Sequence, residues 1–353
     1  MNEHFIRDLH IRNFKCFKEI YINNISRVNL ISGKNNIGKT SLMEAIELLV
    51  SSNDSIELAH NTYQMMTRRQ KTIRNERYFE LDFIHSGENF SILEVNNKRI
   101  EIEYTEQLLE KTINERDYYY EGEKELLNEY VPALKFFLNG DERIFPIDRF
   151  FNSRIPLLRR DRFEATKLKI NFISSTTTDE RDIAILYGNL IDINNESFLN
   201  ESLQYFDENI LSLKQKATER DIVLKIQLKN REMPILLSSL GEGINRYIAI
   251  LCAIWSSKNG FLFIDEIENG IHYTNYKKLW RIVFEASRRA NCQIFVTTHS
   301  KECIEAFNEI NEYNDGSFFE IYKNAKNGEL FSRYRDNEQL KYSLYHTGEF
   351  RGE

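Results

Sequence analysis

Residues 33–40 read Gly-Lys-Asn-Asn-Ile-Gly-Lys-Thr, two glycines five apart followed by a lysine and a hydroxyl. This spacing suits a loop that wraps a polyphosphate. Gly33 and Gly38 let backbone N–H groups converge on phosphate oxygens, and a helix starting near Gly38 adds its positive end to the same anion. Lys39 reaches the β- and γ-phosphates, and the Thr40 hydroxyl is placed to ligate Mg²⁺. Asn35, Asn36 and Ser41 complete the nucleotide-binding set. Hydrolysis also needs a metal-holding carboxylate and a group that orients water. The run Phe261-Leu-Phe-Ile-Asp265-Glu266 offers both at the end of an apolar strand. Asp265 is the expected Mg²⁺ carboxylate, acting through water, and Glu266 the expected base.

Two further segments could meet an anion. Leu237-Ser-Ser239-Leu-Gly241-Glu242-Gly243 precedes an apolar helix, and its serine and glycines form a second anion-binding helix start. Taken alone it is also an ordinary N-cap. Phe295-Val-Thr-Thr-His299-Ser300 again ends a strand. His299 there could hydrogen-bond a γ-phosphate and report its presence, or simply cap a helix.

The flanking patterns supply the elements that must hold these residues. Val28–Ile31 is a buried-strand run, and residues 41–50 carry apolar residues at helical spacing. Strand alternation appears over Phe5–Phe17 and Glu19–Ile22, then at Tyr78–Phe83, Phe90–Val95 and Ile100–Tyr104, an antiparallel meander beside a parallel core. Residues 105–165 are dense in charge and are expected to form an inserted helical subdomain. Lys169–Ser174 returns to the core sheet, with helices expected at 179–190 and 197–217 and a strand at Ile222–Leu228. A regular alternation follows: helix 242–256, strand 261–264, helix 272–290, strand 293–297, helix 300–309. Short strands at 318–322 and 330–333 precede a polar tail. The fold class is α/β, a P-loop nucleotide-binding head with a mixed core sheet. Its parts are 1–104, an insertion at 105–165, 166–315, and a short C-terminal part at 316–353.

Composition narrows the class further. The chain has 353 residues, enough for one large α/β domain or two smaller ones, and a formal net charge of −7. That charge argues against a surface uniformly adapted to nucleic acid. Two local basic clusters remain candidates for phosphate-backbone contact, Arg68-Arg69-x-Lys71-x-x-Arg74-x-x-Arg77 and Arg159-Arg160-x-Arg162. Cys16, Cys252, Cys292 and Cys303 have no metal-ligand spacing and are expected to be reduced thiols. The start of the chain lacks a signal-peptide pattern, and the longest uncharged apolar run, Tyr247 to Trp255, is too short to span a bilayer. A cytoplasmic protein with no membrane partner is expected.

The order and local spelling of these segments resemble the ATPase head of the ABC superfamily, in its RecF-like, SMC-like and OLD-nuclease-like branch of stand-alone AAA-family ATP-binding proteins. Asn13-Phe-Lys-Cys-Phe-Lys18 is similar to that branch's opening strand. Gly33–Thr40 matches Walker A, Ser239-Leu-Gly-Glu242 the signature motif, and Phe261–Glu266 Walker B. Glu268–His272 occupies the D-loop region, and His299 matches the switch histidine. Leu240 stands where transporter signatures have glycine. The Q-loop glutamine stays open between Gln64, Gln70 and Gln107.

The resemblance implies a head-to-head homodimer, or a higher homo-oligomer, around two ATP molecules. Ser239, Gly241 and Glu242 of one copy would complete the site built on Lys39 of the other. It implies ATP hydrolysis with Glu266, His299 and Lys39 as the catalytic set, and ATP with Mg²⁺ as cofactors. No Asn-Lys-x-Asp guanine-reading motif is present. The segment after His299 lacks the acidic clusters or paired histidines of known nuclease types, so an effector is expected on a separate polypeptide. Antiphage regulation of such an effector is the leading expectation. A RecF-like DNA repair ATPase that binds DNA directly is the alternative.

Overall fold

Uninterrupted apolar runs become the central strands. In the computed structural model, which describes residues 5–69, 83–85, 87–111, 127–147, 168–175, 179–217, 222–311 and 315–346, β3 (Val28–Ser32), β12 (Phe261–Ile264) and β13 (Gln293–Thr298) are buried along their whole length. Burial on both faces is the condition of parallel strands with cover on each side. With β8 (Ile170–Ile173), β14 (Gly316–Lys323) and β15 (Leu330–Arg335) they form one sheet in the order β15-β14-β3-β13-β12-β8. All neighbours are parallel except β14 and β15. Ile294 of β13 sits opposite both Val28 and Leu262. Therefore the ends of β3, β12 and β13 come out side by side, and the segments carrying Gly33–Thr40, Asp265–Glu266 and His299 leave from them.

This sheet lies in a unit made of Met1–Leu9, Ile20–Met43 and Lys167–Glu353. Its helices include α3 (Glu180–Asp192), α4 (Glu196–Phe206), α5 (Glu242–Ser256), α6 (Tyr276–Ala290), α7 (Lys301–Ile310) and α8 (Asn337–His346). From Arg246 to Ser256 every residue of α5 is buried, the pattern of a helix enclosed by its own domain. One face of α6 buries Leu279, Trp280, Val283 and Ala286, and the helix ends at Asn291 in the left-handed conformation, φ 51°. Trp280 donates its indole N–H to the Cys303 carbonyl at 3.0 Å, tying α6 to α7. The helix expected over 197–217 stops instead at Phe206. Asp207 accepts from the Asn209 N–H at 2.9 Å in a turn, and β9 (Ile210–Ala217) then pairs antiparallel with β10 (Ile222–Leu228). The buried residues Ile210 and Leu213 straddle an irregular register at Leu228, which disguises the two-residue period. β11 (Ile235–Leu236) completes this three-stranded sheet.

The second unit comprises His10–Glu19 and Glu44–Thr166. Its antiparallel sheet runs β2-β1-β4-β5-β6-β7, from β1 (Leu9–Phe14), β2 (Phe17–Ile22), β4 (Phe90–Val95), β5 (Lys98–Lys111), β6 (Leu127–Leu138) and β7 (Asp141–Pro146). The helical expectation for 105–165 is corrected here: its described residues are largely strand, in a β5–β6 register running from Ile100↔Leu138 to Lys111↔Leu127. Charge density misled, because the charges alternate with apolar residues. Ala133, Leu134, Phe136 and Leu138 are buried while Lys135 pairs with Glu142 at 3.1 Å and lies 3.7 Å from Glu103. The β6–β7 hairpin turns at Asn139-Gly140, both at positive φ, an Asn-Gly hairpin signal. The expected strand Tyr78–Phe83 lies outside the described residues except for Phe83, as do Gln70 and residues 148–165.

In the same unit α2 (Ser55–Arg69) begins with Asp54 accepting from the N–H groups of Ile56 and Glu57. Arg68 pairs with Glu47, and the rest of the two basic clusters lies outside the described side chains. Lys15, at φ 52°, meets Glu44 at 2.6 Å in a buried ion pair. Among the described residues no helix is long and apolar enough to cross a membrane. Cys252, Cys292 and Cys303 are buried free thiols, and Cys16 is exposed.

Candidate functional site

The loop after β3 adopts a shape that only its glycines allow. Gly33 has φ +149° and Gly38 φ +89°, with Asn36 at φ 59° between them. A Cβ on Gly33 would lie 2.2 Å from Ile37 Cδ1 and 2.4 Å from the Ile321 backbone oxygen. The isoleucine tip can move, but the carbonyl of β14 cannot. Gly33→Ala is therefore expected to lower stability by about 1–3 kcal/mol and to weaken any ligand held by the loop, which thermal melting with and without nucleotide would report. Asn35 is exposed and Ser41 buried. At Gly38 the carbonyl accepts the Leu42 N–H at 2.9 Å, starting α1 (Lys39–Ser51). Lys39, 8% exposed, donates to the Gly33 and Lys34 carbonyls at 2.8 and 2.9 Å. Burial pulls its pKa below the ordinary lysine value, against the opposing pull of Glu266, Asp265 and Glu268.

Those carboxylates come from the turn after β12. The Thr40 hydroxyl donates toward both oxygens of Asp265, at 3.2 and 3.1 Å. Thr297, from β13, donates to Asp265 Oδ1 at 2.6 Å and accepts the Glu266 N–H at 2.8 Å. Glu266 itself is held at φ 50°. Asn269 donates to its Oε2 at 2.8 Å, and its Oε1 lies 3.7 Å from His299 Nδ1. Buried Glu268 accepts the His299 backbone N–H at 2.8 Å. From α5, the buried Arg246 reaches under the turn and donates to Ser174 O at 2.5 Å, Asp265 O at 2.6 Å and Glu266 O at 3.2 Å. A hydroxyl and a carboxylate that already face each other are hard oxygen donors of the kind Mg²⁺ takes, with phosphates and water filling its remaining positions.

Ser239, Gly241 and Glu242 are exposed at the start of α5. Gly241 is the N-cap, without a side-chain cap bond, and a Cβ added there would meet nothing within 4 Å. Two residues on, a Cβ at Gly243 would lie 2.5 Å from the Gly270 carbonyl. The helix start is thus pressed against the turn that carries Glu266 and Glu268 while its glycine cap stays open. Beside it lies an open groove of about 720 Å³ bounded by Tyr205, Asp207, Gly241, Gly270 and His272.

A family model described as "AAA domain, putative AbiEii toxin, Type IV TA system" matches residues 28–305. The chain belongs to this family. It is also 24% identical over 343 residues to the ATP/GTP phosphatase of Helicobacter pylori, across 86% of this chain and 88% of that protein. Among solved structures, an SMC head bound to the C-winged helix domain of ScpA matches 95% of this chain and 99% of its own, with a TM-score of 0.52 and 12% identity. The fold of this AAA-family chain is that of an ABC-superfamily ATPase head.

In this family member Lys39, Thr40, Asp265, Glu266 and His299 all come from adjoining strand ends, with Gly33 and Gly38 shaping the loop beside them. Ser239–Glu242 sits apart at a helix start of the same unit. Sequence reasoning gave Arg246 and Thr297 no role in the site and placed Glu268 and Asn269 only in the D-loop region. Arg246 was detectable as the charge at the head of the apolar run Tyr247–Trp255, and Glu268 as the third acid after β12. Thr297 carries no such signal, because its contacts exist only through the register of β12 with β13, whereas Asn269 bonds Glu266 three residues back and the Ser175 carbonyl beyond β8.

Proposed function

We propose that the chain is an ATP-binding and ATP-hydrolysing switch of the ABC type, working with Mg²⁺. The observation that carries this reading is the Thr40–Asp265 contact beside a buried Lys39. Lys39 would leave the Gly33 and Lys34 carbonyls for the β- and γ-phosphates. Thr40 and Asp265 would hold Mg²⁺, which neutralises charge on the phosphate oxygens when bound. Glu266, oriented by Asn269 and by the bond its backbone N–H donates to the Thr297 hydroxyl, would align the attacking water. His299 would face the γ-phosphate. The ATP/GTP phosphatase name of the relative supports triphosphate hydrolysis with either base, and the lack of an Asn-Lys-x-Asp guanine-reading motif favours ATP.

The same reading makes the protein a homodimer. The open cap at Gly241, with Ser239 and Glu242 exposed beside it, suits a γ-phosphate held by Lys39 of a second copy. Contacts that exist only with the γ-phosphate would favour the closed pair, and hydrolysis would release it, which is a ligand-biased two-state element. Such a switch would control a separate effector in bacterial antiphage defence, a role supported by the toxin–antitoxin description of the family. Glu266→Gln should bind Mg·ATP without hydrolysing it and accumulate as a dimer. Light scattering that finds only monomer for this variant at saturating ATP would sink the dimer model, and a parallel series with GTP tests the choice of base.

A further inference from the structure

Two buried polar atoms on neighbouring side chains lack a hydrogen-bond partner among the described residues, Glu268 Oε2 and His299 Nδ1. Glu268 is 6% exposed, and its other oxygen already accepts the His299 backbone N–H. That oxygen stands 3.3 Å from Nδ1, whereas the half-buried Glu266 is farther, at 3.7 Å. Buried polar atoms are rarely left unbonded, and a buried pair left so needs a reason. Hydrogen bonds in reaction sites are often long or misaligned without ligand and tighten when it binds.

We propose that Glu268 is the positioning residue of His299. This rests on the triphosphate reading above. When the nucleotide binds, the ring turns so that Nδ1–H bonds to the unpartnered Glu268 Oε2 while Oε1 keeps the backbone N–H, and Nε2–H donates to a terminal phosphate oxygen. Glu268 is better placed than Glu266 for this task, because the backbone bond to His299 fixes its carboxylate beside the ring it must orient. Burial also strengthens the contact by excluding water. Tyr276 and Cys303 feel the same carboxylate, but burial pushes the tyrosine up to about 12 and raises the thiol as well, so neither contributes a charge near neutral pH. Lys39, on the opposite side, is engaged by the phosphates. Glu266 remains free to orient water, so the two acids divide the work.

Glu268→Gln separates ring from backbone. Its carbonyl oxygen still accepts the His299 N–H, while its amide nitrogen cannot accept from Nδ1–H. The test is nitrogen NMR of histidine-labelled protein loaded with Mg²⁺ and a non-hydrolysable ATP analogue, together with steady-state kinetics. Wild type and Glu266→Gln should both show a His299 Nδ1–H hydrogen-bonded to a carboxylate. Glu268→Gln should lose that Nδ1 hydrogen-bond signature and at least about tenfold in kcat, with KM little changed. A Glu268→Gln protein with the wild-type ring spectrum and turnover overturns this inference alone. A wild-type protein that does not bind the analogue overturns the triphosphate reading and this one together.

Discussion

Lys39→Ala should abolish triphosphate binding and reduce hydrolysis by at least about a hundredfold to a thousandfold, the scale on which a single preorganised charge partner acts. The ammonium is buried, and its bonds in the nucleotide-free loop go to two backbone carbonyls. Burial lowers its pKa although three carboxylates oppose the shift, so the folded protein holds this charge at a cost in desolvation. A phosphate ligand supplies the anion that offsets that cost. Removing the side chain therefore removes ligand affinity without removing much structure. The melting temperature of Lys39→Ala without nucleotide should stay within about 4 °C of wild type, and the rise that Mg·ATP gives to wild type should vanish. Phosphate release and fluorescent-nucleotide titration check the first part, and thermal melts check the second. Wild-type turnover in this variant would contradict the assignment of the site.

Most of the catalytic frame was legible because each part is a local pattern. The loop Gly33–Thr40, the apolar strand before Asp265 and the strand before His299 each announce themselves within ten residues, and the parallel register of β3, β13 and β12 then brings them together. Two long stretches were not legible, for different reasons. Around β6 the charged Lys135, Asp141 and Glu142 are interleaved with the buried Ala133, Leu134, Phe136 and Leu138, so a high charge content imitated an exposed helix. At Asp207–Asn209 a short turn interrupts a run whose apolar spacing fits either period, and the turn's own hydrogen bonds decide for strand. The supporting residues of the site were harder still. Glu268 and Arg246 work through atoms far away in sequence, and nothing in their neighbours' spacing encodes those distances.

Arg246 illustrates how much of the site depends on such a residue. Its guanidinium is 4% exposed and donates to the carbonyls of Ser174, Asp265 and Glu266, which joins α5 to the ends of β8 and β12. Burial draws its pKa down, and Asp265, Glu268, Glu266 and Glu242 counter that shift, so the charge is kept by the acids it underlies. Arg246→Leu leaves the Ser174 and Asp265 carbonyls without their donor, each costing about 1–3 kcal/mol when buried, leaves Glu266 O only its bond from the Asn269 N–H, and removes the cation from beneath four acids. We expect a loss of at least about 3 kcal/mol in unfolding free energy, measured as a lower urea midpoint. Glu266 is held at φ 50° with its carbonyl on Arg246; once that bond is gone the turn can relax, and turnover at saturating nucleotide should fall with it. Arg246→Lys restores the charge but not the planar fork that spans three acceptors. It should recover part of the stability and less of the turnover. Full recovery of both by lysine would mean that charge alone matters here, and unchanged stability in Arg246→Leu would mean that the three carbonyl bonds hold nothing together.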